Sequence, residues 1–172
     1  PVTHTKTRVL AGGLHTTRQQ MLRIDRETDA PPSEAAKASL LSAGRALLGD
    51  LDAVIIADYG AGTLAPVWSE LGRDARDRGL PVVVDSRHAL LQFEGVTAVT
   101  PNEPEAELAL GRRLGSREEA ERASTELLRR LGLEATLLTR GREGMVVARR
   151  GGPPVHLDAW GGEAVDVTGA GD

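Results

Sequence analysis

The chain has 172 residues, 40% of them apolar, enough for one closed core: a domain of about 150 residues buries roughly 68–70% of its unfolded surface. Its 21 basic and 25 acidic side chains are interleaved and sum to a net charge of −4, which offers no electropositive face to a nucleic-acid backbone. The absence of cysteine excludes a disulfide framework and a thiolate metal site and fits a reducing, cytoplasmic setting; no apolar run approaches the roughly 18 residues that span a bilayer, and PVTHTKTRVL has no export-signal pattern.

In chain order, KTRVLA and QQMLRID alternate with the period of strands, Leu22 and Ile24 facing away from Met21, Arg23 and Asp25, so residues 1–27 read as a two-stranded ribbon turned by GGLHTTR. After DAPPS, Ala36, Leu40, Ala43 and Leu47 form a helical stripe of about four turns, with Gly49 as the expected closing residue. DAVIIAD reads as a buried strand, and residues 64–78 as a helix with Leu64, Trp68, Leu71 and Ala75 on one face. LPVVVD and GVTAVT are further strands, followed by a short helix through Leu110.

A second helix starts at Ser116, where the hydroxyl and Glu119 suggest a capping box, with Glu118–Arg122 and Glu126–Arg130 at i,i+4 and Gly132 at its end. EATLLT, GMVVARR and PVHLDA read as strands between Gly or Pro turns. The alternation predicts an α/β domain with a largely parallel sheet and helices on its faces. Two strands end in a carboxylate, Asp58 and Asp85, at the sheet edge where open α/β folds place a ligand crevice.

Three stretches carry candidate chemistry. In VDVTGAGD, Gly169, Ala170 and Gly171 let backbone N–H groups approach an anion, and Asp172 beside them suits a base acting on an alcohol; the same residues read equally as a glycine-rich turn before a helix capped by Asp166 or Thr168. TPNEPEAE places Asn102 and Glu105 where they form a helix cap, or where an amide and a carboxylate organise a hydrated Mg²⁺. In LLTRGREGMVV, Thr139 and Gly141 face either a nucleotide or nothing more than a hairpin turn. His4, His15, His88 and His156 have no metal-ligand spacing.

Taken together, DVTGAGD resembles the C-terminal signature of the ribokinase-like, or PfkB, carbohydrate kinases; NEPE resembles that family's N-x-x-E motif, and ADYGAGTL its D-Y-G-x-G block. Within the family, KTRVLAG with RQQMLRID, LTRGREGM and VDVTGAGD are most similar to the bacterial heptose 7-phosphate kinases, the kinase half of the ADP-heptose synthases of lipopolysaccharide assembly. Ala61, where many relatives carry lysine, and the long GGLHTTRQQ stretch are departures that bear on the sugar.

The resemblance implies a three-layer α/β/α fold with a small β lid at residues 1–27, a kinase domain from residue 28 to 172, and a fold incomplete at both ends, so that the chain alone lacks activity. It implies transfer of the ATP γ-phosphoryl group to a sugar hydroxyl, at C1 of a heptose 7-phosphate. Asp172 would be the base and Gly169, Ala170 and Gly171 an anion hole. Asn102, Glu103, Pro104, Glu105, Thr139 and Gly141 would serve the nucleotide, with Asn102 and Glu105 reaching Mg²⁺ through water. Arg23, Asp25 and Asp58 would lie on the sugar side. Partners would be a sugar phosphate and ATP, with the lid as a candidate homodimer surface. A kinase for another sugar and a non-catalytic sugar- or nucleotide-binding relative are the rival readings.

Overall fold

The computed structural model describes residues 5–12, 19–26, 31–60 and 64–160. The first element is an antiparallel ribbon, β1 (Thr5–Ala11) with β2 (Gln19–Arg26), its register interrupted by a bulge between Val9 and Leu10. Every residue of both strands is exposed. Lys6, Arg8, Arg23 and Asp25 stand in facing pairs on one face, and Thr7 with Ile24 and Val9 with Leu22 on the other. The expected GGLHTTR turn and the lid boundary at residue 27 lie outside the described residues, apart from Gly12.

Helix α1 (Glu34–Leu47) begins at Ser33, whose Oγ accepts the Ala36 amide. It packs on α2 (Ala65–Asp77), but not through the expected stripe. Of that stripe only Ala36 is partly buried; Leu40, Ala43 and Leu47 are exposed, Leu47 at 59%, while Lys37, Leu41 and Gly44 are partly buried and Leu48 fully. Two features of α2 select this face. A Cβ on Gly44 would come within 2.8 Å of Leu71, so the glycine permits close approach. Arg45 pairs with Glu70 at 2.7 Å and Asp74 at 2.6 Å. Gly49 is not a left-handed closing residue either: Leu48 caps α1 in the right-handed region and the chain tightens into a 3₁₀ turn, Leu48–Asp50.

A six-stranded sheet follows, in the order β3 (Val54–Asp58), β4 (Val82–Ser86), β5 (Ala98–Val99), β6 (Ala135–Thr139), β7 (Met145–Arg149) and β8 (Val155–Leu157). β3 to β6 are parallel, β7 runs antiparallel to β6, and β8 antiparallel to β7. β5 is shorter than GVTAVT suggested. Pro101 cannot donate, so pairing with β4 ends after Thr100 N–H reaches the Val84 carbonyl, while an isolated bridge at Asn102 keeps the chain beside β6.

The parallel strands step in one direction across the sheet, and right-handed crossovers that all step one way put their helices on one face. Accordingly, α2 packs on β3 and β4, α3 (Glu103–Leu110) on β6, and α4 (Arg117–Arg130) on β6 and β7. The core between them holds Ile56, Val82, Val84, Phe93, Val96, Leu127, Leu131, Leu138 and Val146. Each such apolar side chain contributes about 1.5–3 kcal/mol by leaving water. Gly72 brings α2 against the sheet, since a Cβ there would meet Ile56 at 3.3 Å.

Of three expected layers, the described residues supply the sheet and one helical layer. β3, expected to be buried, is therefore a sheet-edge strand among the described residues, with Ile55 on its uncovered face 79% exposed. Helix α4 ends at Gly132, as expected, with φ of 66°. Its N-terminal box is only half formed. Ser116 Oγ accepts the Glu119 amide, but the Glu119 carboxylate accepts from Gly115 N–H at 2.7 Å instead of reaching back to Ser116. Glu126 pairs with Arg112 on the preceding loop rather than with Arg130 one turn away, and the i,i+4 pair on this helix is Arg117–Glu121.

Candidate functional site

The carboxyl ends of the four parallel strands form one continuous edge, and most of the described candidate residues lie along it. β3 ends in Asp58, 6% exposed. Its Oδ1 accepts the Gly60 amide at 3.1 Å and its Oδ2 accepts the Ser86 hydroxyl, at the end of β4, at 2.8 Å. Ser86 Oγ accepts in turn from Ala89 N–H. Asp58 thus ties two strand ends together with both carboxylate oxygens. Gly60 has φ of 75°, and a Cβ there would lie 2.6 Å from the His88 ring, so the DYG turn closes against the segment after β4.

Asp85 alternates to the uncovered face of β4 and is half-buried. Burial pushes its carboxyl above the usual aspartate range; Arg87 works against that rise and Asp58 adds to it. Arg87 also lies over the Tyr59 ring, 6.0 Å from its centre.

At the end of β5, the NEPE stretch forms a complete capping box. Asn102 Oδ1 accepts the Glu105 amide and Glu105 Oε2 accepts the Asn102 amide, each at 2.9 Å. Pro104 has no N–H, so Glu103 keeps the remaining amide of the first turn, which makes this helix end a poor phosphate cradle. Glu105 Oε1 remains outside the box. The Glu105 side chain also lines a cleft of about 260 Å³ with Arg87, His88, Leu91 and Leu108, which joins the end of β4 to α3.

β5 and β6 meet at the same edge: Thr139 N–H donates to the Pro101 carbonyl at 2.9 Å, and Asn102 bridges Thr139 in parallel register. Gly141 opens a 3₁₀ turn, Gly141–Glu143, that leads into β7. Between Thr139 and Gly141 is a residue that sequence reasoning passed over. The Arg140 side chain is 5% exposed and donates from Nε to Glu103 Oε1 at 2.8 Å, while its Nη2 lies 2.7 Å from Glu143 Oε2. Glu103, expected on the nucleotide side, therefore has its carboxylate engaged by Arg140. The partners are 37 residues apart, and only the buried guanidinium, which requires a carboxylate, hinted at the pairing.

On β2, Arg23 and Asp25 form a two-pronged pair, Nε to Oδ1 at 2.8 Å and Nη2 to Oδ2 at 2.7 Å. The Arg23 hydrogen bond holds the Asp25 carboxyl below its ordinary range, helped by the charges of Arg23, Lys6 and Arg8. The edge thus brings together Asp58, Asn102, Glu103, Pro104, Glu105, Thr139 and Gly141. Gly169, Ala170, Gly171 and Asp172, like Ala61, lie outside the described residues.

Among the described residues, no group of three or more His, Cys, Asp or Glu side chains can cage a metal ion. Mg²⁺ bound with nucleotide phosphates needs only one or two protein oxygens and keeps several waters, and a single carboxylate with a spare oxygen, Glu105, suits that mode. No helix among the described residues is long and apolar enough to cross a membrane.

The pattern of the pfkB family carbohydrate kinases matches residues 17–172. Curated relatives include the bifunctional protein HldE of Citrifermentans bemidjiense, 40% identical over 172 residues and covering 99% of this chain. The HldE of Paramagnetospirillum magneticum is 40% identical over 156 residues, covering 90% of this chain. The chain spans about a third of these relatives, 34% and 32% of their lengths.

Among solved structures, Arabidopsis thaliana ribokinase complexed with ribose and ATP superposes with a TM-score of 0.66 at 18% identity, covering 97% of this chain and 53% of the ribokinase. Phosphofructokinase-2 from Escherichia coli in complex with fructose-6-phosphate superposes with a TM-score of 0.66 at 15% identity, covering 90% and 50%. At these identities the likeness is one of fold.

Proposed function

Because the chain belongs to the pfkB family of carbohydrate kinases, we propose that it carries out ATP-dependent phosphorylation of a sugar hydroxyl, with the C1 hydroxyl of a heptose 7-phosphate as acceptor. The observation that carries this reading is the single edge on which Asp58, Asn102, Glu105, Thr139 and Gly141 converge, in a chain so similar along its length to the HldE proteins.

In this reading Asp172 accepts the proton of the attacking hydroxyl, and the amides of Gly169, Ala170 and Gly171 meet the charge on the transferred phosphoryl oxygens. Thr139 and Gly141 lie beside the nucleotide. Asn102 holds Glu105 through the capping box, and the free carboxylate oxygen of Glu105 would serve Mg²⁺ through water, with Glu103 and Pro104 shaping the helix start. Mg²⁺, when bound with ATP, would supply neutralisation of the phosphate charge. Asp58 serves the sugar side by fixing the DYG turn through Ser86 and Gly60.

The choice of a phosphorylated sugar draws on the basic residues of one ribbon face, Lys6, Arg8 and Arg23, which share it with Asp25. Its opposite face leaves Val9, Leu22 and Ile24 exposed, and a two-stranded ribbon is marginal alone, so a second copy of the chain is the proposed cover. Use of ATP and a sugar phosphate assigns the work to the cytoplasm.

The test is ADP release by the full-length protein with ATP, Mg²⁺ and a panel of sugar phosphates, with NMR to locate the new phosphate. Asp172→Asn should keep ATP binding while kcat falls by about 10²–10⁴. Turnover with a different sugar phosphate would favour the reading that Ala61 invites, and ATP binding without turnover a non-catalytic relative.

A further inference from the structure

Resting on the kinase reading, we infer that Arg140 is a positioning residue that locks the helix start carrying Asn102 and Glu105 to the turn carrying Gly141. Its guanidinium bridges Glu103, the first residue of α3, and Glu143, the last residue of the 3₁₀ turn, at 2.8 and 2.7 Å. Its own amide donates to the Gly144 carbonyl at 2.8 Å, and its carbonyl accepts from Glu143 N–H at 3.1 Å, so the turn is closed on Arg140 through backbone as well as side chain.

One residue earlier, Thr139 N–H holds the Pro101 carbonyl. The two nucleotide-side loops are therefore joined by one backbone bond and by an ion pair whose guanidinium is buried. The cluster has two carboxylates for one cation, so it repels rather than recruits a polyphosphate. What it does is fix where Glu105 and Gly141 stand relative to each other. A planar guanidinium can reach both acids at once from a buried position, which a lysine ammonium cannot do in the same geometry.

Misplacement of a binding group by about 1 Å costs on the order of 10²-fold, and loss of a residue that orients a ligand costs roughly 10–100-fold. The experiment compares the full-length protein with Arg140→Lys and with the double variant Arg140→Met/Glu103→Met. The double variant leaves no buried charge unpaired, because Glu143 is 57% exposed and can turn to water. Calorimetric titration with ATP and Mg²⁺ is read beside Tm and the KM of each substrate.

The expected result is ATP affinity lowered about 10- to 100-fold in both variants. The sugar KM should stay within about twofold and the Tm of the double variant near wild type. Unchanged ATP affinity in a folded variant, or equal losses for ATP and sugar, overturns the inference. If the double variant does not fold, Arg140→Lys decides alone. A wild-type protein that binds ATP but phosphorylates no sugar defeats the kinase reading, while the ATP titrations still decide the role of Arg140; a wild type that binds no ATP overturns both.

Discussion

Asp58→Ala removes the acceptor for two hydrogen bonds at once, and its cost can be built from their surroundings. The Ser86 hydroxyl is buried and donates to Oδ2 at 2.8 Å; the Gly60 amide, at 3.1 Å, is only partly buried. A hydrogen bond to a charged group contributes about 1.5–3 kcal/mol, and water can replace the acceptor at Gly60 but not at Ser86. Relief of the buried charge offsets part of the loss, which leaves about 3 kcal/mol for Asp58→Ala. Asp58→Asn keeps an oxygen for Gly60 and turns a donor toward Ser86 Oγ, so only the hydroxyl proton loses its acceptor, at about 1 kcal/mol.

Urea denaturation followed by the fluorescence of Trp68, half-buried on α2, reads both. With a slope of about 2 kcal/mol per M, the midpoint should fall by roughly 1.5 M for alanine and 0.5 M for asparagine. A cycle with Ser86→Ala should give a coupling of about 1 kcal/mol or more. An alanine variant within about 0.5 kcal/mol of wild type, or an asparagine variant equally destabilised, would refute the tie between the two strand ends.

Glu105→Gln retains an oxygen for the Asn102 amide but no charge, so Tm should hold while the Mg²⁺ concentration needed for half-maximal turnover rises; a shifted Tm with unchanged Mg²⁺ dependence leaves Glu105 as a cap only. Folding raises the pKa of Asp85 above its ordinary 3.8, so the native state takes up the proton more readily, and the burial penalty is present at neutral pH and fades as pH falls through the raised value. Asp85→Asn should therefore stabilise the protein at pH 7, with the gain shrinking as pH falls through the raised value; a pH-independent gain in chemical denaturation contradicts this. Gly144 has φ of 87° and ψ of −133°, and a Cβ there would strike the Leu157 carbonyl, so Gly144→Ala should cost about 3 kcal/mol. Gly151→Ala, at φ of 82° in open space, should cost about 1 kcal/mol, and equal losses by thermal denaturation would show that the clash is relieved elsewhere.

What the sequence determined by itself is what is encoded within a few residues. The caps at Asn102 and Ser116, the stop at Gly132, the strand ends at Asp58 and Thr139 and the β–α alternation all depend on hydrogen bonds and periodicities that close locally, and the structure has them where the residues predict. The NEPE and LTRGREGM blocks were legible for the same reason, each being a short run that follows or spans a strand end. Which face of α1 turns inward was not legible, because Leu40 and Leu41 are equally apolar and the choice is made by Leu71, Glu70 and Asp74 on another helix.

The exposure of Ile55 depends on β3 standing at the edge of the described sheet, and Glu126 prefers Arg112 to Arg130 because a loop folds back beside it. The site divides in the same way. Asn102 and Glu105 could be named from spacing, but the Asp58–Ser86 and Arg140–Glu103 ties span 28 and 37 residues. Those pairings exist only because parallel crossovers bring successive strand ends to one edge, where burial leaves a carboxylate or a guanidinium no partner but the neighbouring loop.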